Sequence, residues 1–183
     1  MKIGKTKVGL LGLTVAVAIS FSYSSTVVSQ ECFFTTVKST TPDTRYNDNS
    51  DGTITDKKTG LIWKKCSEGQ TELSCAGGAD TFLWPAAMAQ ARIANLENYA
   101  NANNWRLPNI KELTSLVEVA CKNPSININY FPNTTTIDNR KYWSSTTTFA
   151  ATLAWAVNID VGNVFYYDKD GSNLHVRLVR NPD

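Results

Sequence analysis

Ten residues near the middle of the chain, Asn104-Trp105-Arg106-Leu107-Pro108-Asn109-Ile110-Lys111-Glu112-Leu113, restrict the local path more than any other stretch. Pro108 excludes the α region for the residue before it, so Trp105, Arg106 and Leu107 are expected to be extended. Asn109 stands where a helix N-cap belongs. Glu112 follows three residues later, the spacing of a capping box. Ile110, Leu113, Leu116, Val117 and Ala120 recur at helical spacing and predict one apolar helix face reaching about residue 120. Trp105 and Leu107 can pack on that face from the extended side. The stretch reads as a corner of the core, with Trp105, Arg106, Pro108, Asn109 and Glu112 in structural roles.

The N-terminus has a different character. Lys2, Lys5 and Lys7 precede an apolar run over residues 8–21, and mostly small and polar residues continue to Ser29. This is the layout of a secretory signal peptide, and the run is short for a spanning helix. We therefore expect residues 1–29 to be a signal peptide and residues 30–183 to form a single exported domain. Its address would be periplasmic, cell-surface or secreted, with no stable membrane span after cleavage. Three of the 18 basic residues and none of the 16 acidic ones lie in the first 29, which leaves 15 against 16. That balance gives no electrostatic reason to expect nucleic acid or an anionic membrane as partner.

Four cysteines remain after export: Cys32, Cys66, Cys75 and Cys121. An even number in an exported domain implies disulfides, with three connectivities open. Cys66 and Cys75 bracket a polar, glycine-containing loop, so a local bridge is the simplest choice. Cys32 is then left with Cys121. A zinc site would need a CxxC pair or several histidines, and His175 is the only histidine.

Along the chain, Asp48 to Gly52 reads as a turn cluster, and residues 53–56 and 61–65 read as a hairpin. Asn47, Asn49 and Asp51 occupy positions 1, 3 and 5 of an EF-hand-like spacing, with Gly52 at position 6. Position 12 is Lys58, where calcium needs a bidentate glutamate. These three are weak calcium candidates, and a plain Asn/Asp/Gly turn is the preferred reading. No other metal site and no cofactor are assigned. A first helix is expected from Trp84-Pro85, with Trp84, Met88, Ala91 and Asn95 or Leu96 on one face. Residues 122–141 read mostly as loop. Strands follow at 142–146, 154–160, 164–167 and 174–180. Trp155, Val157 and Ile159 should share a face. In the last strand Leu174, Val176 and Leu178 should oppose His175, Arg177 and Val179. The middle third thus holds two helices and the last third an antiparallel meander, an α+β fold.

Several blocks occur together in order: Asp51-Gly52-Thr53-Ile54-Thr55-Asp56, Thr59-Gly60-Leu61-Ile62-Trp63, Trp105 to Leu113, Phe131-Pro132-Asn133, Tyr142-Trp143-Ser144-Ser145-Thr146, and Val176-Arg177-Leu178-Val179-Arg180. With them the chain resembles the Legionella collagen-like protein C-terminal (Lcl C-terminal) domain family. A more distant similarity, carried by Trp105-Arg106-Leu107-Pro108 and the closing Val176 to Arg180 block, runs to the formylglycine-generating enzymes. That likeness implies a C-type-lectin-like fold: two helices packed on a twisted antiparallel sheet with a long loop region. The resemblance also implies the Cys66–Cys75 and Cys32–Cys121 pairs. The namesake adhesin binds sulfated glycosaminoglycans through a trimeric C-terminal domain. The sequence itself does not indicate an oligomer. The enzymes bind copper through a late cysteine pair, and here no cysteine follows Cys121.

No nucleophile–base constellation is visible, and no catalytic residue is assigned. Arg106, Arg177 and Arg180 could form an anion site, but are expected to tie loop carbonyls and acids together. Arg140, Lys141, Tyr142 and Trp143 couple two cations to two aromatics at the end of the long loop, and form the candidate ligand site. The function expected is an exported, non-enzymatic binding or adhesion domain recognising a glycan, sulfated polysaccharide included, or an extracellular partner. The alternative is an envelope or pilus-associated structural domain that binds only protein. An enzyme of the formylglycine-generating type comes last.

Overall fold

The structure, a computed structural model, describes residues 29–71, 73–134 and 140–182. The expected signal peptide lies outside them except for Ser29. The chain runs through β1 (Glu31–Cys32), a 3-10 turn at Asp43–Arg45, β2 (Tyr46–Asp48), β3 (Thr53–Asp56) and β4 (Ile62–Lys64). It continues with α1 (Trp84–Leu96), a 3-10 turn at Tyr99–Asn101, α2 (Ile110–Thr114), β5 (Cys121–Lys122), β6 (Lys141–Thr147), β7 (Leu153–Asn158), β8 (Asn163–Asp168) and β9 (Val179–Arg180). The strands pair antiparallel in three sheets, ordered β1-β5, β2-β3-β4-β9 and β6-β7-β8. Among the described residues the fold is α+β with two helices and two disulfides, as expected, but its strands form three sheets rather than one.

The C-terminal segment explains the division. Residues 174–180 do not return to the meander as its last strand. Leu174 bridges Phe82, His175 pairs in parallel with Tyr142 of β6, and Val179 bridges Arg106. The segment then joins β4 as β9, with Val179 opposite Trp63. It crosses from one sheet to the other and is covered on both flanks. Residues 174–179 are all buried, so the expected two-faced alternation is lost. Leu174, Val176 and Leu178 pack with Ala87, Trp105, Leu107 and Trp143. Val179 packs in a second core with Trp63, Leu113, Phe131 and Tyr142.

Both helices differ from expectation. α1 starts at Trp84 as expected, but its buried residues are Ala87, Ala91 and Ala94, while Met88 and Leu96 are exposed. Small side chains let its backbone approach the indoles of Trp105 and Trp143. Those indoles are also tied by hydrogen bonds: Trp143 Nε1–H donates to the Phe82 carbonyl at 2.7 Å and Trp105 Nε1–H to the Tyr99 carbonyl at 2.9 Å. α2 stops at Thr114, well short of residue 120. Beyond it the amides are claimed elsewhere. Glu118 N–H goes to the Ser125 carbonyl, and Ala120 N–H to the Glu118 carboxylate. Leu116, Val117 and Ala120 remain buried, but from turns.

In β7 it is Ala154 and Ala156 that face the first core, with Trp143. Val157 and Ile159 belong to the second core. Trp155 is only half-buried and stands edge-on to Tyr166 at 5.6 Å, so it does not join Val157 and Ile159 inside.

Both disulfides have the expected pairing, Cys32–Cys121 and Cys66–Cys75. Cys32 and Cys121 are register partners in the β1-β5 ladder. The bridges close loops of very different span, with sequence separations of 89 and 9. On the chain-entropy model the long loop contributes about 4–5 kcal/mol and the short one about 3 kcal/mol. Paired Cys→Ser variants of each bridge, unfolded in urea, should show the larger loss for Cys32/Cys121.

Candidate functional site

The central corner is fully engaged. Asn109 Oδ1 accepts the Glu112 N–H at 3.0 Å, and Glu112 Oε2 accepts the Asn109 N–H at 2.8 Å, which completes the capping box. The same carboxylate takes both arms of the Arg106 guanidinium, each at 2.7 Å. Burial alone would raise the Glu112 pKa. The hydrogen bonds from Arg106 and the Asn109 amide outweigh it and hold the carboxyl below its usual value. The Pro108 carbonyl accepts the Ser145 N–H at 2.8 Å. Arg180 lies over the Trp105 ring, 5.7 Å from its centroid.

Arg177 is 1% exposed. It donates to the carbonyls of Lys64 and Lys65 and to the hydroxyls of Ser67 and Thr134. Its guanidinium carbon sits 5.0 Å from the centroid of the Phe131 ring. Burial lowers its pKa below the ordinary arginine value.

The four residues 140–143 do not make one exposed surface. Arg140 precedes β6, the other three lie on it, and three of the four are buried. Arg140 is buried and pairs with Asp160 at 2.6 Å. Tyr142 is buried with its hydroxyl 2.8 Å from Ser67 Oγ, and Trp143 has no exposure. Lys141 is half-exposed, with Nζ 5.1 Å from the Tyr167 ring centroid. A cation next to an aromatic reads the same in sequence whether it meets a ligand or the core.

Asn47, Asn49 and Asp51 are brought together by the turn, but they bond to each other and to the hairpin. Asn47 Nδ2 donates to Asn49 Oδ1, and Asn49 Nδ2 to the hydroxyls of Thr53 and Thr55. Asp51 Oδ1 accepts both the amide and the hydroxyl of Thr53. Among the described residues no group of three or more His, Cys, Asp or Glu side chains could hold a metal ion, and no helix is long and apolar enough to cross a membrane.

Two polar features were missed by sequence reasoning. Asp56 has no exposure and takes the Arg45 guanidinium through two oxygens. Burial would raise its pKa, but the Arg45 and Thr59 hydrogen bonds bring it below the usual value. Glu118 is 2% exposed, and among the described residues it forms no ion pair. Its oxygens accept from Ser39 Oγ, the amides of Thr40, Thr41 and Ala120, and Thr41 Oγ1, at 2.5–3.1 Å. Here too burial works upward, and the hydrogen bonds carry the pKa below its usual value. The only sequence trace of this arrangement was the run Ser39-Thr40-Thr41.

Glu118 floors a groove of about 370 Å³, walled by Phe34, Thr41, Asp43, Asn127, Ile128 and Asn129. Asn127 Nδ2 donates to the Thr41 carbonyl and to Asp43 Oδ1, both at 2.8 Å. Asn129 Nδ2 reaches both Asp43 oxygens at 3.1–3.3 Å, and its amide donates to Asn127 Oδ1. A ladder of amides and one carboxylate thus lies beside the exposed Phe34 ring and Ile128. Cys32 also lines the groove, so the long disulfide fastens its wall. A second, smaller depression of about 240 Å³ lies among Asp51, Lys64, Ser67, Gln70, Leu73 and Tyr99.

A family model described as the Lcl C-terminal domain matches residues 52–180. Phe34, Thr41 and Asp43 precede the matched segment, while Glu118, Asn127, Ile128 and Asn129 fall inside it. The chain has no match among curated proteins.

The carboxylates of Asp56, Glu112 and Glu118 have folded pKa values below their unfolded ones. Their stabilisation is therefore complete above the unfolded carboxylate range and is lost as pH falls through the folded values. Unfolding free energy should be flat near neutrality and decline below about pH 4. Glu118→Gln should lose about 1–3 kcal/mol at pH 7, and urea titrations should show that gap narrowing at pH 3.

Proposed function

The chain belongs to the Lcl C-terminal domain family, and on that premise we propose that it is an exported, non-enzymatic binding domain whose ligand is a glycan held in the groove beside Phe34. The two disulfides suit an oxidising compartment outside the cytoplasm. The observation that carries the ligand assignment is the pairing of an exposed ring, Phe34 at 60%, with the Asp43–Asn127–Asn129 ladder. Sugars offer both a C–H face for an aromatic and hydroxyls for amide and carboxylate groups. Among the described residues no lysine or arginine lines the groove, so a neutral, hydroxyl-rich sugar fits it better than a sulfated one. The implied lectin-like kinship supports a site made by loops and chain ends rather than by the sheet faces.

Several observations support a non-catalytic role. Glu112 is held by Arg106, Asp56 by Arg45 and Glu118 by the Ser39–Thr41 run. All four cysteines are in bridges. A protein partner is the second reading. It draws on the exposed Phe33, Phe34 and Val37, which cluster in the same lead-in segment.

On an array of neutral and sulfated glycans, the exported protein should bind neutral members. Phe34→Ala and Asp43→Ala should each weaken that binding about 10–100-fold, the loss of a ring contact or a hydrogen bond worth about 1–3 kcal/mol. An empty array, together with capture of an envelope protein through Phe33 and Phe34, would favour the second reading.

A further inference from the structure

We propose that β8 is a docking edge for β8 of a second copy of this chain, joining two three-stranded sheets across a two-fold axis into one six-stranded antiparallel sheet. The outer strands of the molecule differ in how their free edges are treated. β6, at one edge of its sheet, is plugged: Trp143 N–H donates to the His175 carbonyl, and Ser145 N–H to the Pro108 carbonyl. β9 is bridged by Arg106 on the side away from β4. β2 is only three residues long and ends on Asn47 and Asp48. β8 is six residues long, in unbroken register with β7 from Asn163 opposite Asn158 to Asp168 opposite Leu153.

Native edge strands are normally blunted by lysine, proline, a bulge or a covering element. Among the described residues β8 has none of these. Its sequence is Asn163-Val164-Phe165-Tyr166-Tyr167-Asp168, and Val164, Phe165 and Tyr166 are 38%, 46% and 58% exposed. Among the described residues, residues 164–167 make no backbone hydrogen bond outside the β7 ladder. An apolar edge of this length, in unbroken register and uncovered among the described residues, points to a partner strand.

The strand is complementary to itself, which selects a second copy as that partner. A two-fold centred on Phe165 sets Phe165 opposite its equivalent and Val164 opposite Tyr166 of the other copy. Val164 and Tyr166 already share a sheet face, since they pair with Val157 and Trp155. The contacts are therefore aromatic on aromatic and aromatic on β-branched, the favourable cross-strand kinds. Asp168, the only ionisable acid in the strand, falls opposite Gly162, and Lys169 opposite Val161, so no like charges meet. The Trp155–Tyr166 edge-on pair would continue across the junction onto Val164 of the second copy.

Analytical ultracentrifugation of the exported protein at 1–100 µM, roughly the range of transient interfaces, reads the result directly. A dimer is expected. Phe165→Lys sets two cations face to face and should raise the dimer Kd at least tenfold while circular dichroism stays native. An equimolar mixture of Phe165→Lys and Phe165→Asp should regain the dimer as a mixed pair. Leu96→Lys, on the exposed face of α1, should leave association unchanged. A monomer at 100 µM, a trimer, or a dimer insensitive to Phe165→Lys overturns the proposal.

Discussion

The guanidinium of Arg177 gathers the end of β4, Ser67, Thr134 and the Phe131 and Tyr142 rings around one buried charge. It sits on the segment that crosses between sheets and donates to the end of β4 through the Lys64 and Lys65 carbonyls. It also holds the Thr134 hydroxyl and lies against the Phe131 and Tyr142 rings. A buried cation left without acceptors would be strongly destabilising, so these groups must arrive together. The arrangement uses carbonyl and hydroxyl dipoles rather than a carboxylate. It therefore links the two cores mainly through dipoles, while Tyr142 and the charge of Glu68 also favour the cation.

How much could be read from sequence follows from the range of each interaction. The Asn109–Glu112 capping box and the extended entry through Leu107 were legible because their causes lie within four residues. The disulfide pairing was legible because two cysteines sat close together and the count was even. The end of α2 was not, because it is set by where the Glu118 amide and carboxylate go, through partners at Ser125 and at residues 39–41. The double burial of residues 174–179 was hidden because alternation records which side faces the core only when the other side faces water. The cations and aromatics of residues 140–143 were visible, but their burial depends on α1, α2 and the crossing segment. Phe34 and Asp43 gave no signal at all, since their groove is made only when β1 meets β5.

That groove is built differently from the scaffold beneath it. One wall belongs to the segment shared with the family, and the other comes from residues ahead of it. Glu118 lies at the seam and is saturated by hydroxyls and amides of the lead-in. A change in the lead-in can therefore reshape the binding surface while leaving the two cores intact. The reverse does not hold, since loss of Glu118 would release the wall as well as the floor.

For a chain synthesised from its N-terminus, the two bridges differ in when their partners become available. Cys32 comes first, and its partner follows 89 residues later. Cys66 and Cys75 pass through in between, either of them able to capture the waiting thiol. They lie nine residues apart, so each meets the other at a much higher effective concentration than it meets Cys32. The short bridge thus acts as a guard. Once the two intervening thiols are consumed, Cys32 has only Cys121 left to meet.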